Sequence, residues 1–213
     1  MTLGEIKIEA LKLMFTNVED DLVPENLSNY IEDENYRDYL VNMPGAINRC
    51  FARLEVVGVL PSRRRALKVS EGLASGSFLR FDLSEMLEDF HDIDRIVCEG
   101  DDGDYNGDAD YYREGDILVL PRFEERDGIS YTLIYKPTLK RVSTISENGE
   151  ALDIPENIAS YIPYFIKGDL YRLDEPNEAA EAMNWFESAI NEILMRRTSK
   201  ANQVKNIYSQ TEW

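Results

Sequence analysis

Apolar positions recur at two different periods along the chain, helical at both ends and strand-like in the middle. In residues 2–16, Leu3, Ile6, Ala10, Leu13 and Met14 share one face. Thr2 followed three residues later by Glu5 has capping-box spacing, so a helix is expected from Thr2 onward. Residues 17–35 are acidic and turn-rich, with Pro24, and read as a connecting loop holding one turn of helix. A longer helix follows, because Tyr36, Tyr39, Leu40, Met43, Ile47, Cys50, Leu54 and Val57 repeat with helical spacing. Pro44-Gly45 interrupts it, and a kink or restart is expected there.

The character changes between Leu60 and Ile145. Runs at Ala66–Val69, Ser77–Asp82, Ile93–Glu99, Gly115–Leu120 and Ser130–Lys136 are β-prone and bounded by Gly, Pro or Asp. Leu83, Met86, Leu87 and Phe90 share a face, which predicts a brief helix over 83–90. Helical spacing returns with Ile158, Ile162, Phe165, Ile166 and Leu170, preceded by Pro155 at a first helical position. Asp174-Glu175-Pro176-Asn177 breaks the pattern, since the residue before a proline is driven out of the α region. Ala179, Met183, Phe186, Ile190 and Leu194 then mark a last helix, and the short break predicts a helical hairpin.

The expected fold class is therefore α+β: a helical bundle scaffold of N- and C-terminal helices with an inserted small antiparallel β-sheet domain. The corresponding boundaries are 1–60 and 146–197 for the helical domain, 61–145 for the insert, and 198–213 for a C-terminal interaction tail. That tail is polar, yet it carries Ile207, Tyr208 and Trp213. Such groups contribute strongly only when buried, either against their own domain or on a neighbouring subunit or partner.

Composition narrows the function. The 213 residues carry 41 acidic and 23 basic side chains, a formal charge of −18, and are 43% hydrophobic. A core is affordable, whereas binding nucleic acid through the average surface is not. The two cysteines, Cys50 and Cys98, make neither a disulfide framework nor a zinc site and are expected as buried thiols of a reducing cytosol. Glu5, Lys7 and Glu9 precede any apolar run of signal-peptide length, and no segment is apolar enough to span a bilayer.

Three local features carry candidate chemistry. Asp102, Asp104, Asn106, Asp108 and Asp110 alternate as in the opening of a calcium loop, with Gly107 at the turn. The closing position is Arg113, with Glu114 one residue late, and the flanks are strand-like, so this is no EF-hand. It reads either as a weak Ca²⁺ loop or as a solvated acidic hairpin. Arg63-Arg64-Arg65, followed by Lys68, is the one basic cluster, read either as a salt-bridged surface turn or as a docking point for an acidic partner. His91 is the single histidine, expected at the end of a short helix. With no nucleophile elbow and no phosphate loop, nothing marks an active site, and no enzyme activity, cofactor or resident metal is expected.

The order of motifs in the second half resembles a known family. Tyr131-Thr-Leu-Ile-Tyr135-Lys-Pro137, a polar linker, Ile154-Pro155, Tyr161-Ile-Pro163-Tyr164, Leu170-Tyr-Arg-Leu-Asp174 and an Ala/Glu-rich final helix follow one another. This series is similar to the C-terminal half of the head-to-tail connector (adaptor, or head-completion) proteins of tailed bacteriophages. The resemblance implies a viral structural protein of the virion neck, assembled in the host cytoplasm. It implies a ring of about twelve copies beneath the portal protein. It also implies a tail-side neck or tail-completion protein as second partner, and DNA passing through the lumen without specific binding. The basic triplet Arg63, Arg64 and Arg65 and the apolar tail residues Ile207, Tyr208 and Trp213 are its candidate partner contacts. The acidic segments at 17–35 and 101–110 have no counterpart in that pattern. Two other readings remain: a calcium-binding tail, baseplate or adhesion module, and an acidic nucleic-acid mimic that inhibits a DNA-binding enzyme.

Overall fold

The computed structural model describes residues 1–16, 18, 22–100, 106–121 and 129–208. The chain divides into two compact units, one built from residues 1–59 and 141–213, the other from Leu60–Lys140.

The first unit is helical. Helix α1 (Leu3–Met14) starts with the capping box expected at its N-terminus: Thr2 accepts from Glu5 N–H while Glu5 accepts from Thr2 N–H. Two further orphan N–H groups of its first turn find distant partners, Leu3 on the Glu150 carbonyl and Gly4 on that of Asn148. Helix α2 (Glu34–Val57) is a single helix with Pro44 inside it, so no restart occurs at Pro44-Gly45. Pro44 is buried beside Met43, Ala46 and Ile47, and that packing offsets a helix-interior proline cost of about 3 kcal/mol. A 3₁₀ turn at Leu27–Glu32 leads into it, capped by Asp33.

The helix expected from Pro155 to Leu170 is two helices, α4 (Glu156–Ala159) and α5 (Ile162–Leu170). Pro163 has no N–H to donate to Ala159, which breaks the ladder there. Helix α6 (Pro176–Tyr208) begins where the Asp174–Pro176 break predicts and continues well past Leu194. Helices α1, α2 and α6 each pack on α5. Gly168 permits the α5–α6 approach, because a Cβ there would stand 3.1 Å from the Ala179 carbonyl oxygen. Phe165 and Phe186 meet edge to face across that contact, with centroids 5.1 Å apart. The chain re-enters this unit under close control: the Asn48 amide bonds both the N–H and the carbonyl of Val142, and Arg141 pairs with the buried Glu55 carboxylate.

The phenol of Tyr171 donates to the Met14 carbonyl and is 7% exposed. Burial raises its pKa from 10.0 to about 12, with Tyr39, Glu178, Glu175 and Asp174 adding to the shift. The folded protein therefore holds this proton more tightly than the unfolded chain. Its contribution is complete below pH 10 and is lost as pH rises towards 12. Thermal melts between those pH values should show a shallower loss of stability in Tyr171→Phe than in wild type; identical slopes would contradict the assignment.

Among the described residues the second unit holds eight strands: β1 (Arg63–Leu67), β2 (Leu73–Ser75), β3 (Phe78–Asp82), β4 (Phe90–Gly100), β5 (Asn106–Asp108), β6 (Tyr112–Glu114), β7 (Ile117–Pro121) and β8 (Ile129–Pro137). They form two four-stranded antiparallel sheets, ordered β1-β8-β4-β5 and β2-β3-β7-β6. This overturns the expected fold class. The protein is α+β with two sheets where one small inserted sheet was expected. Its helices α1, α2 and α6 share α5, a helix of only nine residues, as their common packing partner. The physical reason for the miss is that β2, β5 and β6 are three residues long and too short to show a period.

Inward residues of the longer strands meet in one core. Leu67, Ile93, Ile96, Cys98, Tyr131, Leu133 and Tyr135 come from the first sheet, and Leu79, Phe81, Leu118 and Leu120 from the second. The Tyr131 hydroxyl crosses this core to donate to the Pro121 carbonyl at 2.9 Å. The hairpin between β2 and β3 turns on Gly76 with φ of 59°, the position where a two-residue loop requires positive φ. The brief helix α3 (Leu83–Met86) stops earlier than residue 90, and strand β4 begins at Phe90.

Candidate functional site

The arginine triplet lies in β1, which is an edge strand of its sheet and not a surface turn. Alternation along the strand separates its three members. Arg63 and Arg65 stand on the same side as the buried Leu67, and Arg64 on the other. Arg63 pairs with Asp89, whose carboxylate also accepts from the Tyr135 hydroxyl at 3.0 Å. Burial first, then that hydrogen bond, raises the pKa of Tyr135. Arg65 pairs with Glu71 at 3.2 Å. Arg64 is exposed and makes no ion pair with any described residue. Across the sheet it faces Ile134 of β8, which in turn faces Arg95 of β4, another exposed arginine. Two of the three arginines thus serve the fold, and charge along a free edge discourages the addition of a foreign strand.

Of the acidic loop, Asp102 and Asp104 lie outside the described residues. Asn106 and Asp108 belong to β5, opposite Glu99 and Val97 of β4, and Asp110 follows it. The Ala109 N–H bonds the Ile96 carbonyl. The second half of the sequence motif is therefore a strand in a β-ladder, whereas a calcium loop needs that backbone to curl around an ion. Among the described residues, no group of three or more His, Cys, Asp or Glu is arranged to hold a metal. His91 is exposed in β4, with no part in such a group.

In the tail, helix α6 includes 198–208, so Ile207 and Tyr208 belong to a helix; Trp213 lies outside the described residues. The side chains of Ile207 and Tyr208 are likewise outside them. Among the described residues, no helix is long and apolar enough to cross a membrane.

The sequence reading missed one surface altogether. On the outward face of the second sheet, Leu73, Phe78 and Tyr112 are 76%, 42% and 43% exposed. Phe78 and Tyr112 meet edge to face at 5.9 Å above the buried Val119, beside the Arg80–Glu114 ion pair. The alternation Phe78-Leu79-Arg80-Phe81 was the available signal, since it puts Phe78 on the side away from Leu79 and Phe81. No protein-family model matches the chain, and no curated protein matches it in sequence.

Proposed function

We propose that the protein is a head-to-tail connector of a tailed bacteriophage, forming a ring under the portal protein that joins the capsid to the tail-side neck or tail-completion protein. The observation that carries this reading is the order of elements over the second half of the chain. Strand β8 ends at Pro137, Pro155 caps α4, Pro163 opens α5, a break falls at Leu173–Glu175, and a long α6 follows. That is the order of the motifs through which the sequence resembles connectors. Two further facts favour an assembly role. Exposed apolar side chains gather on one sheet face, where they cost solubility unless a partner covers them. The formal charge of −18 suits a channel through which DNA slides without adhering. In a closed ring each copy presents two different complementary patches, a heterologous interface.

The test is negative-stain imaging and co-sedimentation of the purified chain with the portal ring of the phage that encodes it. Full-length protein and a version ending at Arg197 are compared. Ring-on-ring stacking supports the connector role, and its loss on truncation assigns the contact to the end of α6 and the residues beyond. Stacking that survives truncation keeps the role and removes the tail contact. Absence of any association at the highest concentrations tested sinks the proposal.

A further inference from the structure

Between the end of α1, α5 and the first turns of α6 the surface opens into a cleft of about 280 Å³. Leu13, Tyr164 and Ala182 line it together with the exposed Glu178, Glu181 and Trp185. Trp185 is 61% exposed, an unusual position for the side chain with the most apolar area to bury. Glu181 precedes it by one helical turn, so carboxylate and indole share one face of α6.

The charges within the cleft are unequal in what they leave free. Lys167 is already engaged: its Nζ donates to the Leu13 carbonyl at 2.9 Å, pairs with Glu178 at 2.7 Å and lies 5.5 Å from the centre of the Tyr171 ring. Glu178 is thereby neutralised. Glu181 makes no ion pair with a described residue, and Trp185 stacks on no described aromatic ring. What remains is one uncompensated carboxylate beside an open indole face, in a cleft of mixed polar and apolar lining.

We infer that this cleft docks a basic segment of a partner protein, which lays an arginine side chain across Trp185 and pairs its guanidinium with Glu181. Tryptophan has the strongest attraction of any side chain for a cation over its ring. Arginine fits better than lysine, because its planar head stacks on the indole while its fork of N–H groups meets the carboxylate. The methylene stem then lies against Leu13, leaving only the head polar. A chain of formal charge −18 draws a basic partner to itself and repels an acidic one. An exposed tryptophan ringed by polar groups is also the side chain most enriched where binding energy concentrates. The inference stands whether or not the connector reading does.

The experiment titrates the full chain against a fluorescein-labelled peptide of repeated Leu-Arg-Ala-Ala, read by anisotropy at low salt. A matched peptide with citrulline in place of arginine is the neutral control. Saturable binding is expected for the arginine peptide alone. Trp185→Ala and Glu181→Gln should each weaken it by on the order of tenfold. Both positions are exposed, and circular dichroism checks that each variant is folded. Glu192→Gln removes an equal charge elsewhere on α6, where Glu192 pairs with Arg196, and should leave binding unchanged. Equal binding by wild type and Trp185→Ala, or equal weakening by Glu192→Gln and Glu181→Gln, would mean diffuse attraction to an acidic protein and would overturn the site. Absence of saturable binding by the arginine peptide would overturn it too.

Discussion

Phe186→Ala is expected to destabilise the helical unit by about 3–5 kcal/mol. The side chain is fully buried, sits in the middle of the residues that α6 turns toward α5, and stacks edge to face on Phe165 at 5.1 Å. Removing it leaves a cavity that the surroundings fill poorly. Gly168 already brings the α5 backbone against the Ala179 carbonyl, so the helices have little room to close further. Since α1 and α2 also pack on α5, the loss spreads beyond the α5–α6 contact. Urea unfolding should show a lower midpoint. Cys50, fully buried in α2 and with its thiol pKa pushed up by burial, should become reactive to a disulfide reagent at lower urea than in wild type. A change below about 1 kcal/mol would mean that the core is not organised about this contact.

Phe81→Ala should produce a comparable loss, about 3–5 kcal/mol, in the β unit. Phe81 is fully buried in β3 opposite Leu118 of β7, within the core that both sheets share. Strand β3 is central in its sheet, and its partner β2 is only three residues long. The sheet thus depends on inward side chains more than on backbone pairing at that end. The reporter here is Cys98, fully buried in β4. Mass spectrometry of the labelled thiols distinguishes the two variants: Phe81→Ala should expose Cys98 before Cys50, and Phe186→Ala the reverse. The same order of labelling in both would contradict the assignment of each phenylalanine to its own core.

The long helices were legible because their signals are local. Thr2 and Glu5 announce α1 three residues apart, and Pro176 opens α6 where its missing N–H costs nothing. At Pro44 the local cost is real, but buried packing around it keeps α2 a continuous helix. The sheets were less legible because strand order is a property of distant residues. Nothing in Arg63–Leu67 says that β8 will pair with it, leaving the other edge free and sorting Arg64 from Arg63 and Arg65. The cleft at Trp185 is hidden in the same way, since Leu13, Tyr164 and Glu181 come together only through α5. In the sequence the apolar stripe Ala179, Met183, Phe186, Ile190 and Leu194 turns Trp185 away from the packed face of α6, but nothing there says what stands beside it.

The division of the chain also sets the order in which it can fold during synthesis. Residues 60–140 are contiguous, so the β unit is complete once they clear the ribosome. The helical unit cannot follow suit, because α1 and α2 wait for α5, which lies over a hundred positions downstream of α1. At a synthesis rate of about 5–20 residues per second, that wait lasts on the order of ten seconds. During it, the apolar faces of two finished helices stay without their native cover. A nascent chain of this design should therefore engage holding chaperones through its first sixty residues and release them when α5 emerges.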